Sequence, residues 1–149
     1  MGAMTAEASP PTDCPECGAP AVDGLDCWWQ MGAVCAWEYD DPALQAVHFF
    51  TVACYNLQHP GRFTDATIDG LTRLFAQAVD ERLSGPEIRR RAGHGHDGPT
   101  RVLRADSDRH PVLRRWPMTV ADVYLPDRPE GAAQRVMAWA AAIRAELPH

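Results

Sequence analysis

The chain has 149 residues, 46% of them hydrophobic, and a formal net charge of −6. That length fills one hydrophobic core without disulfide staples and leaves too little for two ordinary domains. No run nears the roughly 20 apolar residues a membrane span needs, and the acidic start lacks a secretory signal's basic end and apolar stretch. The expectation is therefore a cytoplasmic protein with no membrane contact.

Residues 1–12 are mostly Ala, Ser, Pro and Thr without period and read as a disordered leader ahead of a single helical domain over 13–149. The stretch Asp13-Cys14-Pro15-Glu16-Cys17-Gly18-Ala19 then makes a tight turn, the start of a small knuckle over 13–27. An apolar segment from about Leu25 to Tyr39 follows, in which Leu25, Trp28, Gly32, Cys35 and Tyr39 recur at helical spacing. Asp41 as N-cap with Pro42 in the first turn opens a second helix, expected to reach about Gln58. Its apolar residues surround the axis, which predicts a central helix buried on most sides.

Thr64 caps a third helix whose inner face is Ile68, Leu71, Phe75, Ala78 or Val79, and Leu83. A short basic helix with Arg89, Arg90 and Arg91 comes next, and then a long Arg/His-rich loop over 92–116, with one short extended piece near Thr100–Leu103. Thr119-Val120-Ala121-Asp122 fits a capping box with Asp in place of the usual Glu. Val136, Trp139, Ala140, Ile143 and Leu147 line the last helix, about 129–147. The fold class that follows is mainly α, an irregular helical bundle with a small N-terminal zinc-knuckle-like Cys-x-x-Cys turn.

Five cysteines are an odd number for a disulfide framework, and no secretory signal points to an oxidising compartment, so metal ligation or plain burial explains them better. Cys14 and Cys17 can aim two thiolates at one ion, and a structural zinc site needs two more N or S ligands. Cys27, at the start of the first helix, is the third, because the positive end of the helix dipole favours a thiolate. If the first two helices fold back antiparallel about Asp40–Pro42, Cys27 lies opposite about Cys54, one turn short of His59, while Cys35 lies opposite about Ala46, close to His48. His59 is thus the fourth ligand, with His48 the alternative.

Zinc is preferred over an iron–sulfur cluster because three thiolates and an imidazole suit it. A reduced, empty site stays open as an alternative. Redox chemistry is disfavoured, since Gly18-Ala19-Pro20 after Cys17 argues for a turn and against the helix a reactive thiol needs. Cys35 and Cys54 read as small buried apolar residues.

His48, Tyr55 and His59 share one face of the second helix, and Glu38 can approach His48. A His with a carboxylate partner is a weak candidate for catalysis, and a satisfied polar pair is the plainer reading. His94, His96 and Asp97 have the side chains of another metal site, but a Gly-rich loop pre-organises nothing. Residues 86–116 hold eight Arg against four acids, whereas residues 1–60 hold eight acids and no Arg. That Arg89–Arg115 stripe either pairs with the chain's own carboxylates or meets an anionic partner; nucleic acid is disfavoured in a chain that is acidic overall and has no recognition motif.

Taken together, the Cys14-Pro-Glu-Cys17-Gly-Ala knuckle, Asp26-Cys27-Trp28, Glu38-Tyr39-Asp40-Asp41-Pro42, Val47-His48, Thr51-Val52, Tyr55, Gln58-His59-Pro60, Pro117-Met-Thr119-Val-Ala-Asp122-Val123 and Trp139-Ala140 resemble a family of small bacterial proteins of unknown function. The resemblance spans most of residues 14–145. It implies that Cys14, Cys17, Cys27, His48 and His59 are the residues that matter, and it leaves Cys35, Cys54 and the His-rich loop outside the pattern. No activity comes with it. The functional expectation is a zinc-stabilised helical module that binds an unspecified protein or small-molecule ligand, in preference to an enzyme. The alternatives are a metal-dependent enzyme using His48, Glu38 or Tyr55, and an adaptor for an anionic partner.

Overall fold

A computed structural model describes residues 12–93 and 101–148 of the chain. The expected leader, apart from Thr12, and the His94, His96 and Asp97 group lie outside the described residues. Seven α-helices carry the rest: α1 (Cys27–Trp37), α2 (Pro42–Ala46), α3 (His48–Leu57), α4 (Asp65–Asp80), α5 (Gly85–Gly93), α6 (Val120–Val123) and α7 (Ala132–Glu146). Among the described residues there is no strand, only isolated bridges of Val22 with Leu25 and Phe63 with Leu103. The chain is mainly α, as its periodicity predicts.

Side-chain caps set most of the helix starts. Asp26 Oδ1 accepts the Trp29 N–H at 3.0 Å at the head of α1, and Asp41 Oδ1 accepts the Leu44 N–H at 3.0 Å at the head of α2. Thr64 caps α4, and Thr119 and Asp122 close a reciprocal capping box at α6, with Asp122 accepting the Thr119 N–H at 2.9 Å. Each such cap contributes about 1 kcal/mol by satisfying an N–H the helix cannot.

Helix α3 packs on α4 and α7, while α6 packs on α1 and α7. Trp139 and Ile143 of α7, Phe75 of α4 and Leu44 of α2 are fully buried among them. Burying a large apolar side chain stabilises by about 1.5–3 kcal/mol, and these residues sit well away in sequence from the N-terminal cysteines. The predicted central helix is confirmed in α3, which buries Phe50, Thr51, Ala53, Cys54, Tyr55 and Leu57.

Two expectations are corrected. The single helix expected from Pro42 to Gln58 is broken at Val47, whose backbone leaves the helical region at φ −106°, ψ 17°. Leu44 and Phe50 would lie about 120° apart around a straight helix, and with the break both are buried. The inner face of α1 is Cys27, Gln30, Met31 and Val34, whereas Trp28 and Trp29 are 53% and 64% exposed and Tyr39 is 91% exposed. Both sides of α1 are apolar, so spacing did not select between them. Gln30 lies on the buried face, and its amide donates to the Pro20 and Leu25 carbonyls at 2.9 Å each and so ties the knuckle segment to it.

The segment after α5 is partly ordered by pairing. Thr64 N–H donates to the Val102 carbonyl at 2.9 Å and Arg104 N–H to the Arg62 carbonyl at 2.9 Å, which places the short extended piece beside the start of α4. The Arg stripe meets carboxylates of its own chain: Arg91 pairs with Glu81, Arg104 with Asp65, Arg109 with Asp106 and Arg114 with Glu146. No helix among the described residues is long and apolar enough to cross a membrane.

Candidate metal centre

The N-terminal turn is built to present sulfur. Gly18 N–H donates to the Cys14 carbonyl at 2.9 Å and Cys14 N–H to the Ala19 carbonyl at 3.0 Å, which closes the loop on itself. Gly18 sits at φ +78°, a left-handed conformation that costs glycine little. Inside the loop, the N–H groups of Glu16 and Cys17 point at Cys14 Sγ and that of Ala19 at Cys17 Sγ, each at 3.4 Å. Backbone dipoles aimed at sulfur stabilise the thiolate, which is the form that binds metal.

A second tight turn carries the chain to α1. Asp23 and Gly24 both have positive φ, 53° and 74°, and Val22 and Leu25 exchange backbone hydrogen bonds of 3.0 and 2.9 Å around them. This two-residue reversal is the kind Asp-Gly favours. It delivers Asp26 as the cap of α1 and Cys27 as its first residue, buried. His59 arrives from the far end of α3, two residues past Leu57, and is also buried.

Cys14, Cys17, Cys27 and His59 thus converge, with their donor atoms all within 4.8 Å of one another, and could hold a metal ion. His59 Nε2 lies 3.6 Å from Cys14 Sγ and 3.4 Å from Cys27 Sγ. Its Nδ1–H donates to the Tyr55 carbonyl at 2.6 Å, so the ring is oriented with Nε2 towards the sulfurs. All five cysteines are free thiols.

The protonation pattern follows from this crowding. Hydrogen bonding from Cys17 holds the Cys27 thiol down, against the penalty of burial, and His59 and Tyr55 add to the effect, so its pKa falls to about 4. Cys17, as the donor in that contact and itself buried, is pushed up instead. Burial works against a charged His59, but the contact with Cys27 and the Tyr55 carbonyl outweigh it and raise its pKa to about 9. Both shifts favour a Cys27 thiolate beside a His59 imidazolium.

Aromatic groups flank the cluster. Tyr55 stacks on His59 with ring centroids 4.0 Å apart, and its hydroxyl lies 3.6 Å from Cys27 Sγ. Trp28 leans on Tyr55 at 5.9 Å, and the Arg62 guanidinium sits over Trp28 at 5.3 Å. Burial, then the neighbouring Cys27, pushes the Tyr55 phenol up, so it stays a donor.

One contributing residue had no signal in the sequence. Glu16, the variable position inside the knuckle, is buried, and its carboxylate accepts the Gly61 N–H at 2.7 Å while its backbone carbonyl accepts the Arg114 N–H at 3.0 Å. A side chain at Gly61 would meet Glu16 Oε2 at 2.9 Å and the His110 carbonyl at 3.2 Å, so an added Cβ would press on both. Glu16 fastens the knuckle to the turn beyond His59 independently of sulfur.

His48 stands apart from this cluster. Its Nδ1 lies 2.8 Å from Glu38 Oε2, and the side chain is 52% exposed. Eleven residues of helix and turn separate it from His59, about 16 Å along a helical path, and His59 is the histidine that joins the cysteines. Glu38 and His48 make the polar pair expected of them. Cys54 is buried with its thiol pushed up by desolvation, as an apolar core residue would be. Cys35 is half-buried near Glu38, where desolvation and then the carboxylate raise its pKa.

No curated protein and no solved structure matches the chain. A family model does match, over residues 12–148, and the chain belongs to that family of unknown function (DUF5946).

Proposed function

We propose that the chain is a helical binding or regulatory module whose N-terminal knuckle is held by a structural zinc ion on Cys14, Cys17, Cys27 and His59. The observation that carries this reading is the spacing of the donors. With Zn–S about 2.3 Å and Zn–N about 2.05 Å, a regular tetrahedron has S···N edges of about 3.55 Å; the two measured edges are 3.6 and 3.4 Å. Four protein donors close the coordination sphere, which suits a structural role and leaves no position for a substrate. The ion would link three parts of the chain that are far apart in sequence: the knuckle, the head of α1 and the turn after α3.

The enzyme alternative needs a free coordination position and a reactive group beside it. His48 and Glu38 are paired at the other end of α3, and the Tyr55 hydroxyl is engaged with Cys27. Neither arrangement supports chemistry at this centre. The module's partner is an unidentified protein or small-molecule ligand, and Trp28, which leans on Tyr55, and Trp29 beside it in sequence are exposed apolar surface.

The test is metal content per chain on untagged protein purified without added metal, repeated on Cys27→Ser, His59→Ala and His48→Ala with thermal stability alongside. The reading expects one tightly held zinc in the wild type and in His48→Ala, and its loss with reduced stability in the other two. A wild type that holds no metal after exposure to zinc would sink it.

A further inference from the structure

We propose that Cys35, Glu38 and His48 form a second, open site for a borderline divalent cation such as zinc or cobalt, completed by water or an anionic ligand. The three donor atoms lie within 4.8 Å of one another. Cys35 and Glu38 are three residues apart, on the last turn of α1 and the 3-10 turn that continues it, so they share a face. His48, the first residue of α3, reaches them from across the bend, with Nδ1 2.8 Å from Glu38 Oε2. All three border a depression of about 570 Å³ that Gly32, Tyr39 and Gln45 also line.

Thiolate, carboxylate and imidazole together are donors that borderline transition cations accept and that calcium or magnesium does not prefer. Three protein donors with solvent access is the arrangement of a site that keeps a position open. The local charge also favours a cation: Asp40 and Asp41 follow Glu38, and no Arg precedes Arg62 in the chain. In a zinc site the N···O edge is about 3.3 Å, so a bound ion would replace the shared proton of the His48–Glu38 contact and widen it by about half an ångström. The exposed His48 ring can give that much.

A different reading of the same residues, a thiol activated by a His–Glu pair, needs Cys35 Sγ hydrogen-bonded to His48. No such bond is present among the described residues, and the sulfur sits by the carboxylate instead. The resemblance pattern includes Glu38 and His48 but not Cys35, so the full site is a property argued for this chain alone. It does not depend on the occupant of the first centre.

The experiment uses untagged full-length protein carrying His94→Ala and His96→Ala, to remove the other histidine pair, loaded first with one equivalent of zinc and then titrated with Co(II). The proposal expects one further equivalent of cobalt with thiolate-to-cobalt charge-transfer absorption. That absorption should vanish in Cys35→Ser, and the affinity should fall about 100-fold or more in His48→Ala, at least as much as the loss of a supporting residue costs. His48 is 52% exposed, and Glu38→Gln keeps the size and shape of a side chain that is 12% exposed, so both variants leave the core intact, and circular dichroism checks this. Absence of a saturable cobalt site, or cobalt binding unchanged in His48→Ala and Glu38→Gln, would overturn the proposal; binding without charge-transfer absorption would remove Cys35 from it. Failure of the first centre would show separately, as zinc that is not retained before cobalt is added.

Discussion

If the proposed zinc occupies the Cys14, Cys17, Cys27 and His59 centre, its removal should loosen the knuckle without dissolving the core. The residues that fill the core, Trp139, Phe75, Leu44 and Ile143, are fully buried by helix packing in which none of the four donors takes the leading part. The knuckle, by contrast, has two tight turns, the Gln30 amide and the Glu16 carboxylate to hold it. Metal bound only by the folded state stabilises by RT ln(1 + [L]/Kd), which is about 4 kcal/mol when free zinc stands 1,000-fold above Kd. At about 2.1 cal/mol/K per residue, a chain this long has an unfolding entropy near 0.3 kcal/mol/K, so that loss corresponds to roughly 13 °C in Tm.

The assay is thermal unfolding with zinc and with a strong chelator, for the wild type and for Cys27→Ser, together with amide hydrogen exchange. The wild type should drop by roughly 13 °C on chelation, while Cys27→Ser should begin near the chelated value and respond little. Exchange should quicken at the N–H groups of Glu16, Cys17 and Ala19, which point at sulfur, and stay slow in α3 and α7. Equal Tm with and without chelator in the wild type, or complete unfolding of α3 and α7 on chelation, would refute the division of labour between core and centre.

Proton release is a second expectation. Since His59 and Cys17 are both pushed towards their protonated forms, zinc binding near pH 7 should release protons, and the apparent affinity should climb as pH rises; calorimetry in buffers of different ionisation enthalpy reads the release. Gly61→Ala should cost about 1–3 kcal/mol in urea unfolding, because the added methyl meets Glu16 Oε2 at 2.9 Å and the His110 carbonyl at 3.2 Å. Arg135 donates to the Val123, Glu130 and Arg128 carbonyls at 3.0, 2.9 and 2.9 Å, tying the α6–α7 connection. Arg135→Lys keeps the charge but loses the planar fork, so it should still cost about 1–3 kcal/mol by the same measurement.

The parts of the fold that were legible in the sequence are those set by local chemistry. Asp41-Pro42, Thr64 and the Thr119–Asp122 box mark helix starts because a side-chain oxygen must satisfy a backbone N–H, and that requirement is written in single residues. The last helix is legible because Val136, Trp139, Ala140 and Ile143, all buried, recur at helical spacing. The break at Val47 is not, since no glycine or proline announces it, although Leu44 and Phe50 on either side of it are both buried. The inner face of α1 is not legible from spacing, because tryptophans sit on the side the structure leaves exposed, while the buried side carries a glutamine whose partners lie 5 and 10 residues away. Glu16 could not have been singled out at all, for an acid in a surface turn is ordinary until its partner across the fold is known.

The grouping of Cys27 with His59 was legible for a geometric reason that also accounts for the second cluster. Cys27 at the start of α1 meets His59 beyond the end of α3, at the open end of the pair. Cys35 and Glu38 at the end of α1 meet His48 at the start of α3, so the two helices pair in antiparallel order about the Asp40–Pro42 bend. Eight residues separate the two cysteines along α1, about 12 Å, which makes the clusters distinct while one pair of helices positions both. The open end is covered by the knuckle, which adds Cys14 and Cys17 and closes the first site. Among the described residues no fourth donor joins the three at the bend, which border an open depression. One helical hairpin thus offers a closed centre suited to holding the fold and an open one suited to exchange with solution, and the difference between them is whether a fourth donor is supplied by the chain.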